Sequence, residues 1–151
     1  MTIMTTDREI KRLALELCPH YCYGTPYYLN AQTDRMRAKH QMPACLHMQT
    51  TDGTVETEAG PFFQADRRTR RVQVGFADAV KFDQDPEKTL EVVESLLDMG
   101  RALIDRMNDS GMWERITTYD YQVLYNTQDG NLVWVLLSFS ATETAAMRCD
   151  A

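Results

Sequence analysis

No stretch of this chain approaches the roughly 18 consecutive apolar residues of a membrane-spanning helix. The longest apolar run, Leu132 to Leu137, has the length of a buried strand. Residues 1–6 lack the charged region and apolar core of a secretory signal, so the expectation is synthesis in the cytoplasm with no membrane partner. Cysteine is sparse for a stapled scaffold: Cys18, Cys22, Cys45 and Cys149 are all there is among 151 residues. A chain of this size has core enough without staples, so the four are expected to be free thiols. No Gly- or Ser-rich linker, internal repeat or low-complexity tract divides the sequence. The expectation is one domain over residues 1–151, with its core over about 6–142 and a loosely held tail at 143–151.

Positive charge is also in deficit. Sixteen Lys and Arg face 22 Asp and Glu, for a net charge of −6. Nucleic-acid binders usually carry a basic footprint, so at most transient, non-specific contact with DNA is expected. Catalytic motifs are missing as well: there is no G-x-S-x-G, H-E-x-x-H or Walker element, and histidine occurs three times only. An enzyme is not expected. The alternative is a small enzyme or ligand-binding domain built on His40, His47 or the tyrosines, whose sign would be a deep pocket holding a histidine and a hydrogen-bonded carboxylate.

What is present is a strong architectural pattern. Leu90, Val93, Leu96, Leu97, Gly100, Leu103, Ile104 and Met107 fall on one face at helical spacing. Asp85-Pro86 opens that helix and Asn108-Asp109-Ser110-Gly111 closes it. Thr6-Asp7-Arg8-Glu9 matches a capping box, followed by Ile10, Leu13, Ala14 and Leu17, with Pro19 as the stop. This places a first helix at about 7–18. Residues 43–50 and 70–76 alternate like strands, the second reaching towards Phe82. Thr51-Asp52-Gly53 is a turn signal before a returning strand over 54–58. Tyr119, Tyr121, Val123 and Tyr125 alternate with polar residues, and Asp129-Gly130 marks a hairpin loop before Leu132–Phe139. That last run is apolar on both faces and belongs mid-sheet or at a subunit contact. Residues 19–42 read as a long connection with a polar helical turn or two. The fold expected is α+β: a mostly antiparallel sheet of about five strands, with the long helix and a short N-terminal helix on one face.

Four constellations bear on function. Cys18, Cys22, Cys45, His20 and His47 are zinc-type ligands, but no C-x-x-C pair organises them and no metal or other cofactor is expected. Asp78, Asp83 and Asp85 lack the pattern of a calcium loop. Arg67, Arg68, Arg70 and Arg71 form the one basic cluster, able to clamp phosphate or carboxylates, or else to guard a strand edge as solvated charges. Tyr119, Tyr121 and Tyr125 share one strand face. They suit a protein interface, since tyrosine combines contact area with a polar tip.

In the order of its elements the chain resembles the tail-terminator and related neck or tail-completion proteins of long-tailed bacteriophages. The match runs over about residues 6–142: short helix Thr6–Cys18, strands Ala44–Thr50 and Arg70–Phe82, long helix Pro86–Ser110, and closing hairpin Ile116–Tyr125 with Leu132–Phe139. The aromatic segment 19–42 departs from it. The resemblance implies a non-enzymatic structural protein of the virion, assembled in the host cytoplasm as a homo-oligomeric ring that contacts other phage tail or neck proteins. A ring needs two different complementary surfaces on each subunit. Arg67–Arg71 on one side and Glu87, Glu91, Glu94 and Asp98 on the other would serve, with Tyr119, Tyr121 and Tyr125 as further interface residues. The remaining alternative is a monomeric protein-binding adaptor.

Overall fold

A computed structural model describes residues 5–59, 64–80, 86–126 and 132–149. In chain order its elements are α1 (Thr6–Leu17), β1 (Tyr21–Gly24), α2 (Pro26–Ala38), β2 (Ala44–Met48), β3 (Gly53–Ala59), β4 (Gln64–Ala79), α3 (Pro86–Ser110), β5 (Asp120–Asn126), β6 (Leu132–Thr142) and α4 (Ala145–Cys149). The six strands form one sheet in the order β1-β2-β4-β6-β5, and β3 pairs with β4 off that path. All pairs are antiparallel except β1 with β2. The α+β class, the long helix and the short N-terminal helix are as the sequence predicts.

Strand alternation divides the core in two. On one face Cys45, Val72, Val74, Phe76, Val133, Val135 and Leu137 pack with Ile10, Leu13 and Ala14 of α1 and with Val93, Leu96, Leu103, Ile104 and Met107 of α3. On the other, Ala44, Leu46, Ala77, Leu132 and Trp134 meet Leu29 and Met36 of α2. Thus β6 is apolar on both sides because it is a central strand covered on both sides. α3 lies close to it at Gly100, where an added Cβ would come within 2.5 Å of a Leu137 methyl. Gly111 ends α3 at φ 75°, the left-handed stop the sequence predicts.

Several expectations are corrected. Residues 19–42 are a strand and a helix, and α2 packs on the face opposite α1 and α3. Parallel strands require a crossover, and α2 is that crossover. It starts at Thr25, whose hydroxyl accepts from the Tyr28 amide, with Pro26 in the first turn. The Thr51-Asp52-Gly53 signal does not reverse the chain. β2 pairs with residues 74–77 of β4 and β3 with residues 64–70, so both run the same way along one edge of β4. The strand expected over 70–76 begins earlier, at Gln64, so the whole basic cluster lies within β4. The tail is docked as far as Met147, which is buried. Asp83, Asp85, Asp129-Gly130 and the side chain of Cys149 lie outside the described residues.

The capping box at Thr6–Glu9 is not formed. Thr5 is the N-cap and accepts from the Arg8 amide at 3.3 Å. Thr6 is fully buried: it donates to Glu143 Oε1 at 2.9 Å and accepts from Trp113 Nε1 at 3.3 Å. Glu9 is buried too and pairs with Arg12. Thr5→Ala should therefore cost about 1 kcal/mol, the worth of an exposed cap. Thr6→Ala should cost more, because it strands a buried indole N–H and leaves Glu143 Oε1 with Arg70 in place of two donors. Urea unfolding of the two variants checks this; equal losses would contradict the assignment of the cap.

Candidate functional site

The parallel register of β1 on β2 sets Tyr21 beside Cys45 and Tyr23 beside His47. The first turn of α1 lies over this corner and brings Asp7 to it. Asp7 Oδ1 accepts from Thr50 Oγ1 at 2.7 Å, and Oδ2 accepts from the Tyr23 hydroxyl at 2.5 Å. His47 is fully buried: its Nδ1 lies 2.6 Å from the Tyr21 hydroxyl and its Nε2 lies 3.5 Å from Asp7 Oδ1. That last distance is too long for a good hydrogen bond. Both tyrosine rings meet the imidazole edge-on, and Lys11 Nζ lies over the Tyr21 ring.

Outside this network is an open cavity of about 460 Å³, lined by Asp7, Arg8, Lys11, Tyr21, Tyr23, Thr50 and Arg70 among others. Burial opposes the charge of Asp7, but His47, Tyr23 and Thr50 outweigh it and hold the carboxyl well below the usual carboxylate range. Burial, the hydrogen bond to Asp7 and its charge push the Tyr23 phenol up to about 12. Burial first, then neighbouring negative groups including Asp7, push Tyr21 up as well. Around neutrality the site therefore holds a fixed carboxylate and two neutral phenols. A histidine base needs its ring towards the substrate with the carboxylate behind it. Here the order is reversed, with the carboxylate at the cavity and the imidazole sealed beneath. The arrangement suits clamping α1 to the sheet better than moving protons.

The thiols are not gathered with the imidazoles. Cys18 donates to the carbonyls of His20 and Pro43, and Cys45 is sealed in the larger core. Cys22 packs on the opposite face of the sheet. Burial raises the pKa of all three, which keeps them as thiols. Among the described residues no group of three His, Cys, Asp or Glu is placed to hold a metal. His40 is exposed at the end of α2 with φ 57°, and Asp78 accepts from its neighbouring Ala79 amide.

The arginines lie on β4, where Arg67, Arg70 and Arg71 pair with acidic residues of their own chain. Arg67 reaches Glu114 at 2.6 Å and Glu56 at 3.7 Å. Arg70 donates to the buried Glu143 at 3.0 Å, and Arg71 lies 3.7 Å from Asp52. Arg68 is exposed. Tyr119 is partly buried against the core, whereas Tyr121 and Tyr125 are exposed on β5. The two groups do not meet. Arg70 pairs with Ala141 of β6 and Tyr121 with Leu137, about 13 Å further along that strand, on opposite sides of it. Glu87, Glu91, Glu94 and Asp98 form an exposed acidic face on α3.

Sequence reasoning missed Asp7, Tyr21 and Tyr23 as partners of His47. The available signal was the spacing of two aromatics in Tyr21-Cys22-Tyr23, matched by Cys45-Leu46-His47, but only the parallel pairing joins them. Comparison with protein-family models gives no match, and comparison with curated proteins gives none either.

Proposed function

We propose that this chain is a non-enzymatic assembly protein of a phage tail or neck, acting as one subunit of a ring that joins or caps the tail tube. One arrangement carries the proposal. β4 pairs with β6 only from Thr69 onward, whereas its pairing with β3 continues from Arg68 back to Gln64. The Arg68 carbonyl still accepts from the Glu143 amide, so the pairs from Glu56–Arg67 to Ala59–Gln64 form a two-stranded arm with no third strand among the described residues. Such a pair is marginal in water and gains from a surface to lie on. Arg67 on this arm, and Arg68 and Val55 at its base, are exposed. The acidic face of α3 offers the opposite charge on a different element, as a head-to-tail ring requires. The order of short helix, strands, long helix and closing β5–β6 pair supports the phage assignment within that class.

The ion pairs the arginines make in their own chain do not oppose this. Exposed bridges are weak and can exchange for a neighbour's carboxylates. Arg70 is the exception, since it compensates buried Glu143 and belongs to the fold. The test variant is therefore Arg67/Arg68/Arg71→Ser, compared with the parent by native mass spectrometry and electron microscopy across salt concentrations. The parent should form a closed ring, and the variant should assemble less and with weaker salt dependence, because screening acts on the charges removed. A parent that stays monomeric at every concentration and salt overturns the ring. An unchanged variant overturns the arm as its contact.

A further inference from the structure

The sheet ends in β5, and no described strand pairs with its outer edge. Edge strands are normally blunted by lysine, proline, a bulge or a covering element. β5 has none of the first three: its sequence is Asp120-Tyr121-Gln122-Val123-Leu124-Tyr125-Asn126, and its register on β6 is unbroken. It is also strongly apolar for an edge, with Tyr121 58% exposed, Tyr125 57% and Leu124 37%.

The order of these residues points to the occupant. The strand is nearly symmetric about Val123. An antiparallel partner of the same sequence, centred there, puts Tyr121 opposite Tyr125 of the copy on both sides of the axis and Val123 opposite itself. Gln122 then faces Leu124, and Asp120 faces Asn126, so no carboxylate meets a carboxylate. Tyr121, Val123 and Tyr125 share one face by strand alternation, which makes the tyrosine contacts direct cross-strand pairs. A two-fold contact of this kind requires one self-complementary patch, and β5 supplies it.

We infer that β5 is a self-pairing edge, joining two copies of this chain through an antiparallel β5–β5 contact centred on Val123 and making one continuous sheet across the pair. This contact is separate from the head-to-tail one proposed above and does not rest on it. Alone it gives a dimer; combined with a ring it gives two rings back to back.

The register can be tested by charge design at the two exposed tyrosines, where substitution leaves the fold's core intact. In Tyr121→Lys/Tyr125→Lys, lysine faces lysine across the axis, and the native mass should fall to half that of the parent. In Tyr121→Lys/Tyr125→Glu, each lysine faces a glutamate, and the parent mass should return. Circular dichroism melts of both variants show that each is folded at the temperature of measurement. A parent whose mass the double-lysine variant leaves unchanged overturns the contact. So does a parent that is monomeric throughout, whose edge then belongs to a different protein. A double-lysine variant that halves, with a Lys/Glu variant that also halves, overturns the register. A dimer that obeys these rules without forming a ring keeps this inference and removes the ring. A ring indifferent to all β5 changes does the opposite.

Discussion

Ile104→Asp unfolds the protein or leaves it barely folded. Ile104 is 3% exposed and lies on α3 among the residues that bind the helix to β4 and β6. Its neighbours in the larger core are predominantly aliphatic side chains, which offer a carboxylate there no compensating charge. An uncompensated buried charge costs about 3–5 kcal/mol. That is a large part of the roughly 5–15 kcal/mol by which domains are stable. Ile104→Leu is the matching control, because a swap that conserves volume usually costs under about 1.5 kcal/mol. Circular dichroism and urea titration separate the outcomes. An Asp variant as stable as the parent would mean that α3 does not pack on the sheet through this face.

Asp7→Asn is expected to have the next largest effect, and its size should depend on pH. The side chain is 21% exposed and is the one carboxylate of the clamp that holds α1 to β1 and β2. Its folded pKa lies well below the ordinary value near 3.8, to which it returns in the unfolded chain. A depressed carboxyl adds stability that is fully present above that ordinary value. The contribution is lost as pH falls from there through the folded pKa. At neutral pH the substitution should cost about 1–3 kcal/mol, the loss expected when a partly buried, charged acceptor of two hydrogen bonds is removed. Below about pH 4 the parent should lose stability faster than the variant, so that their difference narrows. Chemical denaturation at a series of pH values measures it. A difference that stays constant from neutrality down to pH 3 would mean that Asp7 acts through packing and hydrogen bonds alone. Tyr23→Phe removes a single donor to Asp7 and should give a smaller loss with the same direction of pH dependence.

The clamp also explains why the candidate site was hardly legible beforehand. Asp7 stands in a sequence that fits a capping box, and local pattern alone favours that assignment. Thr6 is withdrawn from the box because Glu143 and Trp113, far along the chain, compete for its hydroxyl. Tyr21 and Tyr23 sit between Pro19 and Gly24-Thr25-Pro26, where breakers outweigh any strand signal in so short a run. Their strand exists because β2 lies beside it in parallel, and α2 must then cross over. α2 itself buries few apolar residues, so its hydrophobic pattern was weak; Thr25-Pro26 was its clearest mark. The arginine cluster was legible as a cluster. Its neutralisation by Asp52, Glu114 and Glu143 was not, because those residues come from three separate parts of the chain.

By itself the sequence determined the class of fold, the long helix with its apolar face and glycine stop, the first helix and the two-sided burial of β6. These follow from forces between residues near one another in the chain: apolar periodicity, capping and fixed backbone angles. Tertiary structure decided the partner of each strand, the placement of α2 on the second face, the meeting of Asp7 with His47, and which edge of the sheet remains open. Those depend on pairings between segments far apart in the chain. Their free energy comes from contacts formed only once the sheet is assembled, and no local pattern records them.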